Sequence, residues 1–506
     1  MTIPRPAAVV VLAAGEGTRM RSATPKVLHT LAGRSMLAHA LATARALDPE
    51  RVTVVVRHGR DLVVDHLRQV DPEAIVADQD EVPGTGRAVQ VALTALDERG
   101  EVHGAVVVMA GDVPLLDAGT LGELLAAHAV DGNAITLLST QVADPTGYGR
   151  VLRGTDGAVV GIVEEKDADD EQRAIREVNT STYVFDADVL RAHLARLGRD
   201  NAAGEVLLTD VVALAHGDGL RVHALLTDDP VSAEGVNDRV QLAAIRAELN
   251  RRILEEWMRA GVTVVDPATT WVDVDVELGQ DVTLLPGTQL HGATVVSEGA
   301  TIGPDTTLTD VEVGPGAVVV RSHGSLSVIG PRANVGPFSY LRPGTMLGTE
   351  GKIGAFVETK NTSIGTGSKV PHLSYIGDAE IGDHTNVGAA SVTANYDGTT
   401  KHRTTIGSHV RIGADTMLVA PVTVGDGAFT GAGTVVRFDV PPGALAISAN
   451  DQRTLLGWVD RTRPGSAAAE AAVRARGPQG PQAGAPPGHD LPDLDETATD
   501  EKDTPR

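Results

Sequence analysis

The sequence contains no cysteine among its 506 residues. This absence excludes disulfide bonds, thiolate metal ligands and a cysteine acyl intermediate. Any acyl transfer would therefore proceed directly from the acyl carrier to another nucleophile. The chain also lacks apolar runs approaching about 18 residues, the minimum for a membrane-spanning helix, so we expect no membrane segment.

Positive charge is also scarce. Lys and Arg total 43 against 67 for Asp and Glu, which gives a net charge of −24. Binding of nucleic acid requires an excess of basic residues, so we expect no such partner and expect small anionic substrates to be held by local cations and backbone amides. The first residues lack the features of a signal peptide. We therefore predict a cytoplasmic enzyme of two or three domains.

Branched aliphatic residues recur at every sixth position between about Leu278 and Val436. Two unbroken sets are Ile329, Val335, Leu341, Leu347 and Ile353, and Ile406, Ile412, Leu418 and Val424. A period of six fits neither an isolated helix nor a simple alternating strand, but it fits short strands joined by tight corners. We predict a parallel β-helix of triangular cross-section with these residues inside; a flat antiparallel sheet with glycine turns is the alternative.

Glycine follows many of these aliphatic residues, namely at Gly330, Gly336, Gly348, Gly354, Gly407, Gly413 and Gly425. We expect these glycines to provide positive φ angles at the corners. The six-residue phase is lost between Val387 and Ile406, which predicts a loop that bulges from the solenoid. A solenoid face beside such a loop is where we expect chemistry. The repeat resembles the left-handed β-helix of the hexapeptide acyltransferases, and the handedness comes from this resemblance.

A glycine-rich turn follows the first apolar strand, in the run LAAGEGTRM of residues 12–20, and Pro25-Lys26 comes shortly after. Such a turn can bind phosphate, because glycine lets backbone N–H groups approach the oxygens while Arg19 and Lys26 supply charge. A plain turn is the alternative on spacing alone. The run is not a Rossmann fingerprint, since Met20 replaces the third glycine.

This run resembles the signature of the sugar-1-phosphate nucleotidyltransferases. The resemblance implies a doubly wound, Rossmann-like α/β domain with a mixed sheet, and the alternation of β runs with helical stretches agrees with it. It implies catalytic roles for Lys26 and Arg19. It assigns UTP contacts to Leu12, Ala13, Ala14, Gly15, Lys26, Gln79, Gly84 and Thr85.

The same resemblance implies a sugar site and a metal site. Gly149, Glu164, Asn179 and Asn237 would bind the UDP-sugar, and Asp112 with Asn237 would bind Mg²⁺, which prefers oxygen ligands. Asp112 ends a buried strand, at the edge of the sheet where ligands bind. The structural alternatives are a capping turn for Asp112, a solvated turn for Glu164 and a helix N-cap for Asn237.

Bulky polar residues interrupt the solenoid sequence between Arg342 and Lys401, which suggests a pocket for a phosphorylated ligand. This stretch resembles the glucosamine-1-phosphate acetyltransferases. The resemblance implies that His372 is the general base that accepts a proton from the amino group, with Glu358 orienting the imidazole. An ordinary histidine is the alternative. The resemblance further assigns glucosamine-1-phosphate contacts to Arg342, Lys360, Tyr375, Asn386 and Lys401. It assigns acetyl-CoA contacts to Ala389, Asn395, Tyr396, Ala414 and Ala432.

Together the resemblances cover about residues 9–458 and match the bifunctional N-acetylglucosamine-1-phosphate uridyltransferases. They imply that the C-terminal site acetylates glucosamine-1-phosphate with acetyl-CoA. The N-terminal site would then transfer UMP from UTP to the product, releasing pyrophosphate and supplying a peptidoglycan precursor. A homotrimer with acetyltransfer sites shared between chains is implied as well. Two alternatives remain: a nucleotidyltransferase whose solenoid is only a scaffold, and a nucleotide sensor without catalysis.

The domain boundaries follow from these patterns. We predict a uridylyltransferase domain over residues 1–236, a linker helix over 237–261 and a β-helix acetyltransferase domain over 262–458. Residues 459–506 are rich in Pro, Gly, Ala and acidic residues, which predicts a disordered tail.

Overall fold

The computed structural model describes residues 4–448, 452 and 454–477. Residues 4–448 form one compact unit, and residues 452 and 454–477 belong to a second unit. No helix within the described ranges is long and apolar enough to cross a membrane.

The N-terminal part of the first unit alternates strands and helices. Its strands are β1 (Ala8–Leu12), β2 (Thr30–Leu31), β3 (Arg34–Ser35), β4 (Arg51–Val56), β5 (Ile75–Asp78), β6 (Ala105–Ala110), β7 (Ile135–Gln141), β8 (Arg150–Arg153), β9 (Val159–Val163), β10 (Glu177–Asp186) and β11 (Val222–Thr227). Its helices are α1 (Met36–Ala46), α2 (Arg60–Val70), α3 (Thr85–Asp97), α4 (Ala118–Asp131), α5 (Asp170–Arg173), α6 (Ala187–Leu194), α7 (Asp210–Gly217) and α8 (Arg239–Arg259), with 3₁₀ turns at Thr18–Met20, Lys26–Leu28 and Pro230–Ala233.

Nine of these strands form a mixed sheet in the order β11-β7-β10-β6-β1-β4-β5, with β8 and β9 attached beside β10, while β2 and β3 pair with each other. Strand β1 pairs in parallel with β4 and β6, whereas β10 runs antiparallel to β6 and β7. Side chains of β1 alternate between two cores, since Ala8 and Val10 pack on one face and Val9 and Val11 on the other. Helices cover both faces, so the predicted doubly wound α/β fold is confirmed.

The C-terminal part of the first unit consists of short strands. They are β12 (Thr263–Val264), β13 (Trp271–Val272), β14 (Glu277–Leu278), β15 (Thr283–Leu284), β16 (Gln289–His291), β17 (Val295–Val296), β18 (Thr301–Ile302), β19 (Thr307–Val313), β20 (Val318–Val319), β21 (His323–Ile329), β22 (Asn334–Val335), β23 (Tyr340–Leu341), β24 (Thr345–Leu347), β25 (Lys352–Ala355), β26 (Glu358–Ile364), β27 (Lys369–His372), β28 (Tyr375–Ile381), β29 (Asn386–Val387), β30 (Val392–Ala394), β31 (Thr404–Ile406), β32 (Arg411–Ile412), β33 (Met417–Val419), β34 (Val422–Val424), β35 (Phe429–Thr430), β36 (Val435–Val436) and β37 (Leu445–Ala446).

Each of these strands pairs in parallel with its equivalent in the next coil, as Ile353 does with Val370. The result is an eleven-stranded sheet and a fifteen-stranded sheet that wrap one aliphatic column. The members of both hexad sets are at most 3% exposed. The left-handed parallel β-helix is confirmed, and the antiparallel alternative is wrong because these pairs are parallel.

The predicted reason for the glycines is wrong at most positions. Of the seven glycines named above, all within the described range, Gly336 alone has a positive φ, of 101°. The others are required by close packing between coils: a Cβ at Gly354 would lie 2.0 Å from the carbonyl oxygen of Pro371. Positive φ angles occur instead at other residues on the corners, including Phe356 at 58° and Asn361 at 45°.

A loop interrupts the stacking where the six-residue phase is lost. Lys369 pairs with Asn386, but Asn386 pairs with Arg411, so this coil is longer than its predecessor. The extra residues form a turn closed by an antiparallel bridge between Tyr396 and Lys401. The predicted bulge is therefore confirmed.

Helix α8 packs on both parts of the first unit. Its residues Leu242 and Ile245 belong to a core cluster of the N-terminal part, whereas Ile253 and Leu254 extend the solenoid column. The side-chain amide of Asn250 donates to the carbonyl oxygen of Thr270 at 2.8 Å. The solenoid therefore begins directly against this helix.

The second unit differs from the predicted tail. Its described residues include two helices, α9 (Trp458–Thr462) and α10 (Ala467–Arg476). Asp460 accepts a hydrogen bond from Arg476 Nη2 at 2.6 Å, and the side chain of Ser466 caps α10. The prediction of disorder from residue 459 is wrong for these helices; in α10, the alanine-rich composition and the Ser466 cap favour helix. Residues 478–506 of the predicted tail lie outside the described residues.

Candidate functional site

The glycine-rich turn leaves the carboxyl end of β1 at the centre of the sheet. The carbonyl oxygen of Leu12 accepts from Gly111 at 2.8 Å, and the N–H of Ala13 donates to Val55 at 2.9 Å. No atom lies within 4 Å of a Cβ built on Gly15, so a ligand can approach its backbone. Gly17 differs, because its φ is +64° and a Cβ there would lie 2.6 Å from that of Lys26.

Lys26 brings together the two residues predicted to bind metal. Its ammonium group forms an ion pair with Asp112 and donates to Asn237 Oδ1 at 3.1 Å. The loops that carry them are joined, since the N–H of Val236 donates to the carbonyl oxygen of Asp112 at 3.0 Å. The cap of α8 is Asp238 rather than Asn237, whose side chain is left to face Lys26.

This convergence fits a divalent cation. A carboxylate and an amide oxygen both lie against one positive group, and such oxygens are the donors that Mg²⁺ prefers. Within the described ranges, no three His, Cys, Asp or Glu side chains are grouped so that they could hold a metal ion. Two protein oxygens completed by phosphate oxygens and water match the usual behaviour of Mg²⁺.

Polar residues predicted to bind the sugar line the same cleft, whose volume is about 280 Å³. The cleft is lined by Arg19, Asp112, Tyr148, Asn179 and Asn237, among others. The N–H of Asn179 donates to the carbonyl oxygen of Gly149 at 2.8 Å, and its side-chain amide donates to Tyr183 at 2.7 Å. The structure therefore brings together Gly149 and Asn179, two residues predicted to bind the UDP-sugar, and Asn179 lines the cleft that also contains Asp112 and Asn237.

Glu164 is a half-buried carboxylate next to this loop. Burial raises its pKa, and the nearby carboxylate of Asp210 adds to this effect, while a hydrogen bond from Thr209 Oγ1 at 3.2 Å opposes it. A Cβ on Gly149 would lie 3.4 Å from Glu164 Oε2. The predicted alternative of a fully solvated turn is therefore wrong for Glu164; the adjacent Glu165 is the residue that pairs with Arg150.

The predicted base-recognition residues form a second loop. Gln79 donates through Nε2 to the carbonyl oxygens of Val82 at 3.0 Å and Gly84 at 3.2 Å. Thr85 Oγ1 accepts from the N–H of Leu208 at 3.1 Å. These contacts use the donors of Gln79 to hold the loop and leave its side-chain oxygen available to a ligand.

In the solenoid, a basic cluster lies on the outer face of the fifteen-stranded sheet. Arg342 follows β23, Lys360 lies in β26, and the pairing of β26 with β28 aligns Glu358 with Tyr375. The Lys401 ammonium group, carried by the loop, lies beside Lys360 and lowers its pKa. Four of the five residues predicted to bind the sugar phosphate therefore lie on one face.

His372 lies on the other sheet. It is the exposed last residue of β27, outside the aliphatic column. Backbone hydrogen bonds align His372 with the coils that carry the predicted acetyl-CoA contacts. The N–H of Ala390 donates to the carbonyl oxygen of His372 at 3.3 Å, and the N–H of Asp415 donates to the carbonyl oxygen of Ala389 at 2.7 Å. Ala414 and Ala432 continue this line of small side chains. Asn386, in β29, belongs to the same sheet and not to the basic cluster.

Within the single chain, Glu358 pairs with Arg342 and not with the imidazole, so its predicted role beside His372 stays a prediction. Among the described contacts, Glu358 Oε1 accepts from Arg342 Nη1 at 2.9 Å, and this ion pair raises the pKa of Arg342. The reason is geometric: the corner at Leu373 separates His372 from the face on which Glu358 lies. The prediction overlooked Asp378. Its carboxylate accepts hydrogen bonds from Asn361, next to Lys360, and from Asn395, on the loop that carries Lys401.

The loop that bears Lys401 is held internally. Asp397 accepts from the N–H groups of Thr399 and Thr400 at 2.8 and 2.7 Å and from His402 Nε2 at 2.7 Å. These bonds hold the pKa of Asp397 well below its usual range. Tyr396 is 60% exposed on the same loop. The predicted acetyl-CoA contacts Asn395 and Tyr396 are thus presented by an ordered turn.

The fold and these sites define a class of protein, a nucleotidyltransferase joined to a hexapeptide-repeat acyltransferase. Residues 9–215 match the family described as MobA-like NTP transferase domain. Residues 403–437 match the bacterial transferase hexapeptide family.

Relatives extend the match over nearly the whole chain. A protein of Pseudarthrobacter chlorophenolicus named Bifunctional protein GlmU is 63% identical over 470 residues, which are 93% of this chain and 96% of the relative. The protein of that name from Kineococcus radiotolerans is 63% identical over 93% of this chain and 95% of its own. The protein of that name from Mycolicibacterium gilvum is 61% identical over 92% of this chain and 94% of the relative.

The chain belongs to the GlmU family of bifunctional enzymes. The predicted combination of uridyltransferase and acetyltransferase activities, in synthesis of UDP-N-acetylglucosamine, is confirmed. The two alternatives, a solenoid that is only a scaffold and a nucleotide sensor without catalysis, are wrong.

Proposed function

We propose that the N-terminal cleft binds UTP and N-acetylglucosamine-1-phosphate with Mg²⁺, and that the solenoid binds glucosamine-1-phosphate and acetyl-CoA. The observation that carries this proposal is the division of the polar groups into two clusters. One surrounds Lys26 at the edge of the mixed sheet, and the other surrounds Lys360 on the solenoid. Each cluster contains cations for a phosphate.

In the N-terminal cleft, an oxygen of the sugar phosphate attacks the α-phosphorus of UTP in line with the leaving pyrophosphate. The new P–O bond replaces the bond to pyrophosphate, and no protein nucleophile is required. Arg19 and Lys26 offset the charge that spreads over the phosphate oxygens in the transition state. Asp112 and Asn237 would hold Mg²⁺, which neutralises phosphate charge when bound. Glu164, Asn179 and the Gly149 backbone would orient the sugar.

On the solenoid, the amino group of glucosamine-1-phosphate attacks the acetyl carbonyl of acetyl-CoA. An imidazole can accept the amine proton near neutral pH, and His372 is exposed and lies outside the aliphatic column. The C–S bond then breaks, and the proton passes to the leaving thiolate to give CoA. Arg342, Lys360 and Lys401 would bind the phosphate.

We further propose a homotrimer in which neighbouring chains share each acetyltransfer site. In one chain, His372 and Asn386 belong to the eleven-stranded sheet, while Lys360 and Tyr375 belong to the fifteen-stranded sheet. Two faces of different prisms would be needed to enclose one substrate, and closed symmetry provides them. The cytoplasm, where acetyl-CoA and UTP are available, remains the predicted location.

The test supplies glucosamine-1-phosphate, acetyl-CoA, UTP and Mg²⁺ to the full chain and identifies the products by mass. We expect UDP-N-acetylglucosamine, pyrophosphate and CoA. Omission of acetyl-CoA should abolish the product unless N-acetylglucosamine-1-phosphate is added. Formation of a UDP-sugar that lacks the acetyl group would contradict the proposed order of reactions. Sedimentation analysis of the same sample tests the trimer.

A further inference from the structure

Asp378 is a buried acidic residue at a corner of the solenoid, beneath the basic cluster. The residue is 9% exposed, and both carboxylate oxygens accept hydrogen bonds from amides. Oδ1 accepts from Asn361 Nδ2 at 2.7 Å, and Oδ2 accepts from Asn395 Nδ2 at 2.5 Å. Asn361 directly follows Lys360, and Asn395 begins the loop that carries Lys401. The carboxylate therefore contacts both segments that supply lysines.

The charge of Asp378 is maintained by these neighbours. Burial raises its pKa, but hydrogen bonds from Asn361 and Asn395, together with the charges of Lys360 and Lys401, bring the pKa below its ordinary value. The group is therefore an anion at neutral pH, held in its buried position by hydrogen bonds from two amides, with two cations nearby.

The two lysines are in an unfavourable arrangement without an anion. Contact with Lys401 lowers the pKa of Lys360, and the charge of Arg342 lowers it further, while Asp378 raises it. Glu358 is already paired with Arg342. Among the described charged groups that face Lys360, Asp378 is thus the one that offsets the repulsion between the ammonium groups.

The backbone next to Asp378 is shaped for the same cluster. A Cβ on Gly377 would lie 2.4 Å from the hydroxyl oxygen of Tyr375 and 2.9 Å from Asn395 Nδ2. Only glycine at this position lets the tyrosine ring and the asparagine amide lie over the strand. The corner therefore brings together the sugar contact Tyr375, the loop residue Asn395 and the carboxylate.

We propose that Asp378 is a positioning residue of the C-terminal site, which anchors the Asn395 loop and keeps the Lys360 and Lys401 ammonium groups side by side for the sugar phosphate. The inference rests on the proposed function of that site. A fixed anion reduces the repulsion between two adjacent cations before the substrate binds, and removing one partner of such a cluster leaves uncompensated charge. Asp378 therefore links the phosphate contacts to the acetyl-CoA loop.

The test variant is Asp378→Asn in the full chain. Asparagine fits the corner, where φ is 49°, because Asn361 adopts a φ of 45° at the corner of the preceding coil. We expect KM for glucosamine-1-phosphate to rise about tenfold near neutral pH, with a smaller change in kcat. Lys360 loses the charge that raises its pKa, so the increase of this KM with pH should begin at lower pH than in the wild type, measured from about pH 7 to about pH 9.5.

A matched control is Asp310→Asn. Asp310 has a similar corner φ of 54°, but its Oδ1 accepts from the backbone N–H of Ala293, at 2.9 Å. This variant should leave both KM values unchanged. A second variant, Asn361→Gly, removes one amide donor at a φ that glycine adopts freely. It should raise the same KM by a smaller factor, about threefold.

The outcomes are distinguishable. A fall in kcat at every pH, with KM for glucosamine-1-phosphate and its pH dependence unchanged, would overturn the inference in favour of a purely structural role. Unaltered kinetics in Asp378→Asn would overturn it as well. Thermal unfolding of the same preparations shows that the solenoid is folded, and uridylyl transfer shows the same for the N-terminal part. A wild-type chain that does not acetylate glucosamine-1-phosphate would instead overturn the proposed function, and with it this inference.

Discussion

The ammonium group of Lys26 donates a hydrogen bond to Oδ1 of Asn237, 3.1 Å away, and so joins the first and last loops of the N-terminal domain. Asp112 forms an ion pair with the same group. Residues from three separate segments thus meet at one point, in the cleft that Gly147 and Tyr148 also line. Changes at this point should affect uridylyl transfer and leave the solenoid reaction intact.

The first prediction concerns Asp112→Asn, which keeps the shape of the side chain and removes its charge. We expect uridylyl transfer to fall about 100-fold or more, because the carboxylate that pairs with Lys26 and would hold Mg²⁺ loses its charge. Acetyl transfer should not change. Pyrophosphate release and CoA release, measured on the same preparation, check both halves.

Asp78→Asn is the control for this variant. Asp78 ends β5, the parallel strand at the edge of the same sheet, and its carboxylate pairs with Arg60 at the surface, where exposed ion pairs contribute little. Both activities should be retained. Equal losses in the two variants would show that the effect of Asp112 is not specific to the cleft.

The second prediction concerns Gly17→Ala. A side chain at this position meets two obstacles, a φ of +64° and a Cβ 2.6 Å from that of Lys26. Displacement of Lys26 should lower uridylyl transfer more than about tenfold, and the left-handed conformation should reduce the free energy of unfolding by about 1–2 kcal/mol. Gly219→Ala is matched, since its φ is +77° but no atom lies within 4 Å of the new Cβ. Gly219→Ala should lower stability, measured by thermal unfolding, and should leave activity normal.

The third prediction is a pH dependence of stability. Burial raises the pKa of Glu164 in the folded state, so the unfolded chain ionises first as pH rises. The wild type therefore loses stability between the ordinary carboxylate pKa and the raised value. We expect Glu164→Gln to be more stable than the wild type at neutral pH, equally stable near about pH 3, and impaired in sugar binding. Denaturant unfolding over this pH range measures the difference.

The adjacent residue provides a control of opposite sign. A hydrogen bond from Arg150 is the main cause of the lowered pKa of Glu165, and that contribution to stability is present above the ordinary pKa and is lost as pH falls through the lowered one. Glu165→Gln should therefore be less stable than the wild type at neutral pH. The same direction of change in both variants would contradict the assignment of Glu164 as the buried carboxylate.

The six-residue period predicted the coil faces and the buried positions, because the orientation of side chains along a short strand depends on local sequence. It did not predict why glycine is needed. The distance between stacked backbones arises only when coils pack, as at Gly354 against Pro371. The corners use residues such as Asn361 and Asp378 at positive φ, and their side chains also make hydrogen bonds.

The motifs predicted the site residues singly, whereas their contacts depend on the fold. Lys26 and Asn237 lie 211 positions apart in the chain and touch only because both follow strands or turns at one edge of the sheet. Asp378 was overlooked because a lone aspartate at a corner is common in this solenoid, as Asp310 illustrates. Glu358 was assigned to the imidazole from the family resemblance, and its pairing with Arg342 could not be predicted because the sequence does not reveal which face follows a corner.

The central claim is that two independent reactions occur on two folds, with His372 serving only the second. Its direct test is the His372→Ala variant of the full chain, assayed for both transfers, with N-acetylglucosamine-1-phosphate supplied for the uridylyl reaction. His384→Ala, an exposed histidine in the next coil, is the control. We predict that acetyl transfer falls by about 10²–10⁴, as expected for loss of a general base, while uridylyl transfer is unchanged. Retention of acetyl transfer, or loss of both activities, would contradict the account.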